Sequence, residues 1–271
     1  MQVEARGLVF DVALDGPEDA PAVLLLHGFP QTSHCWRGVL PRLSGYRTIA
    51  PDQRGYSPGA RPDGVEAYRM PELVADALAI LDALGVEQAH VVGHDWGAAV
   101  TWQLAARHPE RLLTASIVSV PHPRAFLAAL QSDDDQRQKS LYMREFAREG
   151  FEVELLTDDA ARLRGAFGGL PAVDVDHYVE RAREPGALAA WLRWYAAQRR
   201  EDIADTPAVT VPTLYVWPDQ DVALGRTAAE ATGAWVTGPY RFEVLEGVTH
   251  WAPEEVPEVL AALLSEHLLS A

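Results

Sequence analysis

Short apolar runs of five or six residues alternate along this 271-residue chain with longer stretches in which apolar positions recur every three or four residues. The short runs, at residues 8–13, 22–26, 46–50, 89–93, 115–120, 213–217 and 241–245, predict strands. The inner ones are almost continuously apolar, as strands buried on both faces of a parallel sheet must be. Between them Leu73, Val74, Ala77, Leu78, Leu81 and Leu84 repeat at helical spacing, and Gly85 supplies a stop. A last helix is predicted over 254–269. The pattern is that of an α/β protein, a mostly parallel sheet flanked by helices.

The alternation lapses between residues 124 and 212, where several helical patterns occur and no strand is evident. A structureless loop of that length would be unusual in a compact domain. The expected organisation is a core formed by 1–123 and 213–271, with a helical lid, 124–212, inserted over the catalytic end of the sheet. Bulk properties narrow the partners. Hydrophobic content of 48% and charged content of 23% are those of a globular protein. A net charge of −16 argues against nucleic acid and anionic membrane as partners. The single cysteine, Cys35, excludes an intramolecular disulfide, fits a reducing cytoplasm and reads as a packing residue. The N-terminus shows no signal-peptide pattern, and no apolar run approaches the roughly 20 residues that cross a bilayer. A cytoplasmic protein acting on a small molecule is expected, with a homodimer left open.

The chemistry concentrates in Gly93-His94-Asp95-Trp96-Gly97, which joins the apolar run at 89–93 to a helix-like run. Gly-x-nucleophile-x-Gly between strand and helix is the form of the nucleophile elbow of α/β-hydrolases, whose glycines permit a strained turn and close helix packing. Here the tip carries a carboxylate. It is ionised at neutral pH, with a reference pKa of about 3.9, so it attacks without a base and suits an sp3 carbon such as that of an epoxide or a haloalkane. His27-Gly28-Phe29-Pro30 follows the first buried strand, where that fold places one oxyanion-hole amide, and the residue after the nucleophile supplies the other. Those amides are Phe29 and Trp96. His250 follows the last strand and is the candidate general base. Asp221 follows the preceding strand and is the candidate partner that orients it, with Asp219 its competitor. Nucleophile, acid, histidine is the chain order this fold uses.

On these stretches, with Asp52-Gln53-Arg54-Gly55-Tyr56, the chain resembles the α/β-hydrolase superfamily over essentially its whole length, and within it the epoxide hydrolases. The resemblance implies that Asp95 opens an epoxide to a hydroxyalkyl ester. Water activated by His250, with Asp221 behind it, then hydrolyses the ester to a diol. It also implies two lid tyrosines that protonate the alkoxide, and Tyr142 and Tyr195 match those segments, with Tyr178 a rival. Trp96, Trp191 and Trp251 are expected at the substrate, Trp191 with a place in the lid core as its competing role, and His122 is a candidate contact there with a structural role as its competitor. His27 and His94 are expected to shape loops, and Asp52 and Arg54 to brace one. Neither a cofactor nor a metal is called for. Two alternatives stay open: a haloalkane dehalogenase using the same aspartate, with Trp191 as a substitute halide donor, and a non-catalytic ligand-binding hydrolase fold.

Overall fold

A computed structural model describes residues 1–270 of the chain. Eight strands form one sheet among them: β1 (Gln2–Ala5), β2 (Leu8–Asp15), β3 (Ala22–Leu26), β4 (Arg47–Pro51), β5 (Ala89–His94), β6 (Leu112–Val118), β7 (Thr213–Pro218) and β8 (Tyr240–Leu245), in the order β1-β2-β4-β3-β5-β6-β7-β8. The β1–β2 and β2–β4 pairs are antiparallel, and every other pair is parallel. All the residues of β3, β5 and β7 are buried, in keeping with their continuous apolar runs. The seven predicted strands are present, with β6 beginning three residues earlier than its apolar run. The eighth, β1, escaped prediction because it has only four residues, of which Val3 and Ala5 alone turn inward.

Helix α1 (Met70–Ala83) packs toward the edge strand β1 and beside α2 (Trp96–Arg107), which packs on the central strands β3, β5 and β6. Helix α1 ends as predicted, with Gly85 at φ +69° and the Val86 amide bonded back to the Leu81 carbonyl. Between β6 and β7 the chain is helical: α3 (Pro123–Ser132), α4 (Asp134–Lys139), α5 (Tyr142–Phe146), α6 (Phe151–Ala166, broken at Thr157–Ala160), α7 (Ala172–Ala182), α8 (Ala187–Ala196) and α9 (Arg200–Ala204). After β7 come α10 (Arg226–Ala231), α11 (Ala252–Glu255) and α12 (Pro257–Leu268). The single helix expected over 254–269 is therefore two. Pro257 has no amide proton and disfavours the helical conformation at the residue before it, and Val256 sits at φ −135°, ψ 50°.

Helix α8 is anchored to the core by two fully buried indoles. Trp191 Nε1 donates to the Gly55 carbonyl at 3.1 Å and Trp194 Nε1 to the Arg54 carbonyl at 2.9 Å. Trp191 also stacks on Tyr56, ring centroids 4.6 Å apart. That loop is itself braced. Arg54 forms a buried two-point pair with Asp76 of α1 (2.5 and 2.6 Å), while Asp52 accepts from the Ser33 amide and from Arg181 of α7. The bracing expected of Asp52 and Arg54 is what the structure contains. It sets the orientation of α8 and so the direction of Tyr195, four residues beyond Trp191 on the same side of the helix.

Candidate active site

The loops at the carboxyl ends of β3, β5, β7 and β8 converge, as ligand-binding loops do in open α/β sheets. Asp95 occupies the tip of the β5–α2 turn at φ 50°, ψ −120°, a conformation costly for any residue but glycine. The turn closes only because its neighbours lack side chains. A Cβ on Gly93 would strike the Gly97 carbonyl and Thr101 Oγ1, one on Gly97 the Leu26 carbonyl, and one on Gly28 the Asp95 carboxylate itself. The strained tip pushes the Asp95 side chain out of the sheet. There the Phe29 amide donates to Asp95 Oδ1 at 2.7 Å. Trp96 is the first residue of α2, so its amide has no acceptor within the helix.

His250 Nδ1 lies 2.8 Å from Asp221 Oδ2, and its Nε2 lies 3.5 Å from Asp95 Oδ2. The other Asp221 oxygen accepts from the amides of Ala223 and Leu224, at 2.7 and 3.0 Å. Burial would raise the Asp221 pKa, but the His250 charge and hydrogen bond, with those two amides, hold it below its ordinary value. Burial likewise opposes charging of His250, yet the charge and hydrogen bond of Asp221, then those of Asp95, push it up to about 10. The resting pair is thus an imidazolium between two carboxylates. Asp219 is elsewhere. It accepts from the Gly247 amide and holds the turn before His250.

Beside Asp95 opens an apolar cavity of about 130 Å³. Asp95, Trp96, Tyr142 and Tyr195 line it, together with Met70, Ala99, Val120, Pro121, Pro123, Phe126, Met143, Ile203, Ala223 and Leu224, and with Ser140 and Gln198 as further polar groups. The two tyrosine rings lie 6.1 Å apart, centroid to centroid, and Tyr195 meets Trp96 edge-on at 5.0 Å. Burial and the Asp95 charge push both phenols upward, so they remain protonated donors, although the neighbouring Trp96 side chain pulls Tyr195 the other way.

Comparison with known proteins decides the family. A family model described as alpha/beta hydrolase fold matches residues 21–257. The chain is 34% identical over 305 residues to a Mycobacterium tuberculosis protein named epoxide hydrolase A, covering 97% of this chain and 95% of that one. It belongs to the α/β-hydrolases, and within them to the epoxide hydrolase family. A Bacillus subtilis relative named only as an AB hydrolase superfamily protein is 36% identical over 276 residues, covering 98% of this chain and 96% of the other. A solved structure described as a novel epoxide hydrolase of the alpha/beta hydrolase superfamily, from hot-environment metagenomes, superposes with a TM-score of 0.91. It is 28% identical and covers 99% of this chain and 97% of that one.

Within this hydrolase the structure brings together Asp95, His250, Asp221, Phe29, Trp96, Tyr142 and Tyr195. Three expected substrate contacts lie elsewhere. His122 caps α3 by accepting from the Arg124 amide, stacks on Trp235 (5.7 Å) and faces the Pro207 carbonyl. Its pKa is driven down to about 4 by burial. Trp191 is consumed by the α8 anchor described above. Trp251 packs between Phe167 and His250 and donates to the Ala166 carbonyl at 3.2 Å. The rival Tyr178 is fully buried in the helical insertion and donates to Glu254. Two polar residues behind the histidine, Gln31 and Glu254, escaped notice in the sequence, although Gln31 directly follows the His27-Gly28-Phe29-Pro30 stretch. The wall residues Met70, Phe126 and Met143 carry no sequence signal, since an apolar wall is indistinguishable from core until the cavity is seen. No described helix is long and apolar enough to cross a membrane.

Proposed function

We propose that this protein hydrolyses epoxides to vicinal diols through a covalent ester on Asp95, in a pocket roofed by the helical insertion acting as a lid. The observation that carries the reading is that an ionisable nucleophile and two phenols, Tyr195 buried and Tyr142 partly buried, line one apolar cavity, with a paired histidine directly behind. Asp95 Oδ1 is held by the Phe29 amide, which leaves Oδ2 to attack a ring carbon. As the new C–O bond forms, the ring C–O bond breaks, and the alkoxide takes a proton from Tyr142 or Tyr195. In the second half, His250 removes a proton from water, which attacks Cγ of the ester. Negative charge develops on Oδ1, which the Phe29 amide already holds, and the Trp96 amide, free at the start of α2, is the proposed second donor. Losing one such donor costs about 3–4 kcal/mol of barrier. Collapse of that intermediate breaks the bond between Cγ and the ester oxygen, and the departing alkoxide takes the proton held by His250. The proton of the new carboxyl group returns to the tyrosinate, which releases the diol and restores the carboxylate and the phenol. No charged side chain other than Asp95 lines the cavity among the described residues, which suits an uncharged, apolar epoxide.

Halide release from the same ester chemistry would need donors around the leaving anion. Trp96 is placed for that role, but the Trp191 N–H is already committed to the Gly55 carbonyl. The alkoxide reading accounts for both tyrosines and the halide reading for neither. The test is a His250→Gln variant incubated with styrene oxide and examined by intact and peptide mass spectrometry. A stable adduct of one substrate mass on Asp95 is expected. A folded variant without adduct, where the parent enzyme turns the epoxide over, would sink the aspartyl-ester mechanism. Bromobutane, assayed in parallel for halide release, separates the two leaving groups.

A further inference from the structure

Behind His250 runs a chain of buried polar groups that the reaction above does not use. His94 Nε2 lies 2.8 Å from the His250 carbonyl oxygen, and its Nδ1 lies 2.8 Å from Gln31 Oε1. Gln31 Nε2 reaches Glu254 Oε1 at 2.7 Å, and the Tyr178 hydroxyl donates to that same oxygen at 2.8 Å. Both His94 and Gln31 are fully buried. Part of Glu254 is exposed, but its carboxyl points inward, and Oε2 is buried without a partner.

The protons in this chain do not balance as drawn. A neutral imidazole has one N–H, and here both ring nitrogens face carbonyl oxygens. Burial and the neighbouring His250 charge bring the His94 pKa down to about 4, so the ring is neutral in the working range. One of the two 2.8 Å contacts is then left with lone pairs on both sides. Turning over the Gln31 amide removes the conflict, since its oxygen and nitrogen occupy equivalent positions. Gln31 then donates to Nδ1, and Nε2–H is free to bond the His250 carbonyl. The Gln31 oxygen now faces Glu254, and that contact requires a proton on the carboxyl.

We propose that Glu254 is a positioning residue that works as a protonated acid, its proton fixing through Gln31 and His94 the hydrogen bond that holds the His250 backbone carbonyl. Other groups facing the carboxyl agree with this. On the turn at residues 33–38, Cys35 is buried and neutral, and Arg37 is engaged by Asp174 of α7. His34 and His177, which stack on one another beside Asp174, are both driven toward neutrality by burial. Glu255, next in sequence, turns away to bond Thr249. No cation pairs with Glu254 among the described residues, and burial pushes its pKa up to about 7 despite the opposing bonds from Gln31 and Tyr178 and the opposing charge of Arg37. Above that pH the proton leaves to solvent, Gln31 turns its N–H toward the carboxylate, the His94 proton moves to Nδ1, and the His250 carbonyl loses its donor.

The protonation stands independently of the reaction, whereas its effect on turnover rests on the aspartyl-ester reading. The primary test is an NMR titration of wild type carrying carbon-13 glutamate carboxyls and nitrogen-15 histidines, with Glu254→Gln identifying the resonance that disappears. One carboxyl titrating near pH 7, with the His94 ring switching from Nε2–H to Nδ1–H over the same range, is expected. A Glu254 that titrates with ordinary carboxylates near pH 4.3, or a His94 tautomer that stays fixed, overturns the proposal. Should E254Q fail to fold, Tyr178→Phe identifies the resonance by its shift. In single-turnover ester hydrolysis, wild type should slow by about 2- to 10-fold above that pH, the worth of one hydrogen bond, and E254Q should not. Parallel profiles for the two would refute the positioning role. Absence of any Asp95 adduct would instead refute the reaction and leave the titration result standing.

Discussion

Replacing Tyr142 and Tyr195 by phenylalanine, singly and together, probes the step that separates epoxide opening from every other use of an aspartate elbow. The rings make most of their packing through apolar edges. Tyr195 meets Phe29 at 5.3 Å, Phe146 at 5.1 Å and Trp96 at 5.0 Å, and Tyr142 meets Phe146 at 5.1 Å. Phenylalanine keeps those contacts, so the melting temperature should move little. What is lost is a donor to a developing alkoxide in an apolar cavity. A hydrogen bond to a charged group is worth about 1.5–3 kcal/mol, or about 10- to 150-fold in the alkylation rate for each single variant. The two phenols are close enough to share one oxygen, so their effects should not simply add. The double variant should fall by more than either single one, and by less than the product of the two. Because Trp96 lines the cavity against Tyr195, stopped-flow tryptophan fluorescence should follow alkylation directly, with quenched-flow mass spectrometry of the ester as a second readout. Hydrolysis of preformed ester should change far less. A double variant that alkylates at the wild-type rate would refute the assignment of both tyrosines.

Other expectations follow from the same geometry. Gly28→Ala drives a methyl group into the Asp95 carboxylate, so adduct formation should be abolished in a folded protein; near-normal alkylation would show that the loop relocates freely. Asp221→Asn removes the main counter-charge of His250 and should slow ester hydrolysis by about 100- to 10,000-fold, the usual scale of general-base catalysis, so that ester accumulates during turnover. Stability should fall on both sides of neutrality. His250 has a folded pKa raised to about 10, so its contribution is complete below about 6.5 and is lost as pH rises through 10. His90, His94 and His122, held neutral with pKa values of about 4, oppose folding increasingly as pH drops from about 6.5 toward 4. A flat thermal-denaturation profile from pH 4 to 10 would contradict those shifts.

The strand pattern, the helical insertion and the four reactive loops were legible in the sequence because each rests on local chemistry. Apolar runs, a glycine-framed turn and short polar segments just after strands need no knowledge of distant neighbours. The lid tyrosines were legible only through resemblance. Nothing in Tyr142 or Tyr195 alone distinguishes them from Tyr178, which has the same side chain and ends up buried against Glu254. Trp191 carried two readings, core of the insertion or pocket wall, and the structure gives it the first. A tryptophan near a pocket reads as a pocket wall, but its indole N–H was taken by the Gly55 carbonyl, a bond spanning 136 residues that no periodicity reports. His122 has the structural role weighed against substrate contact, as a helix cap and stacking partner chosen by tertiary packing. The Gln31–His94 contact depends on loops 63 residues apart meeting behind His250.

In the proposed reaction the charge on His250 would tie the two half-reactions together. In the resting enzyme two carboxylates face the ring, Asp221 at 2.8 Å and Asp95 at 3.5 Å, and the imidazolium is favoured. An imidazolium cannot accept a proton from water, so in this state the enzyme is not yet able to hydrolyse an ester. A serine at the elbow would be disabled by such a histidine, because it must hand over its own proton. An aspartate needs no base and is indifferent to that charge. On the aspartyl-ester reading proposed above, alkylation would convert Asp95 to a neutral ester and remove one of the two counter-charges, so the His250 pKa would drop by whatever Asp95 supplied. Forming the ester would therefore generate the base that cleaves it. Single-turnover ester hydrolysis should show an acid limb well below pH 10, whereas the free enzyme's histidine should titrate near 10. Both values are measurable on one protein, the first by following decay of the adduct and the second by histidine NMR before substrate is added. Equal values would mean that Asp95 exerts no field on His250, and the coupling of the two steps would have to be abandoned.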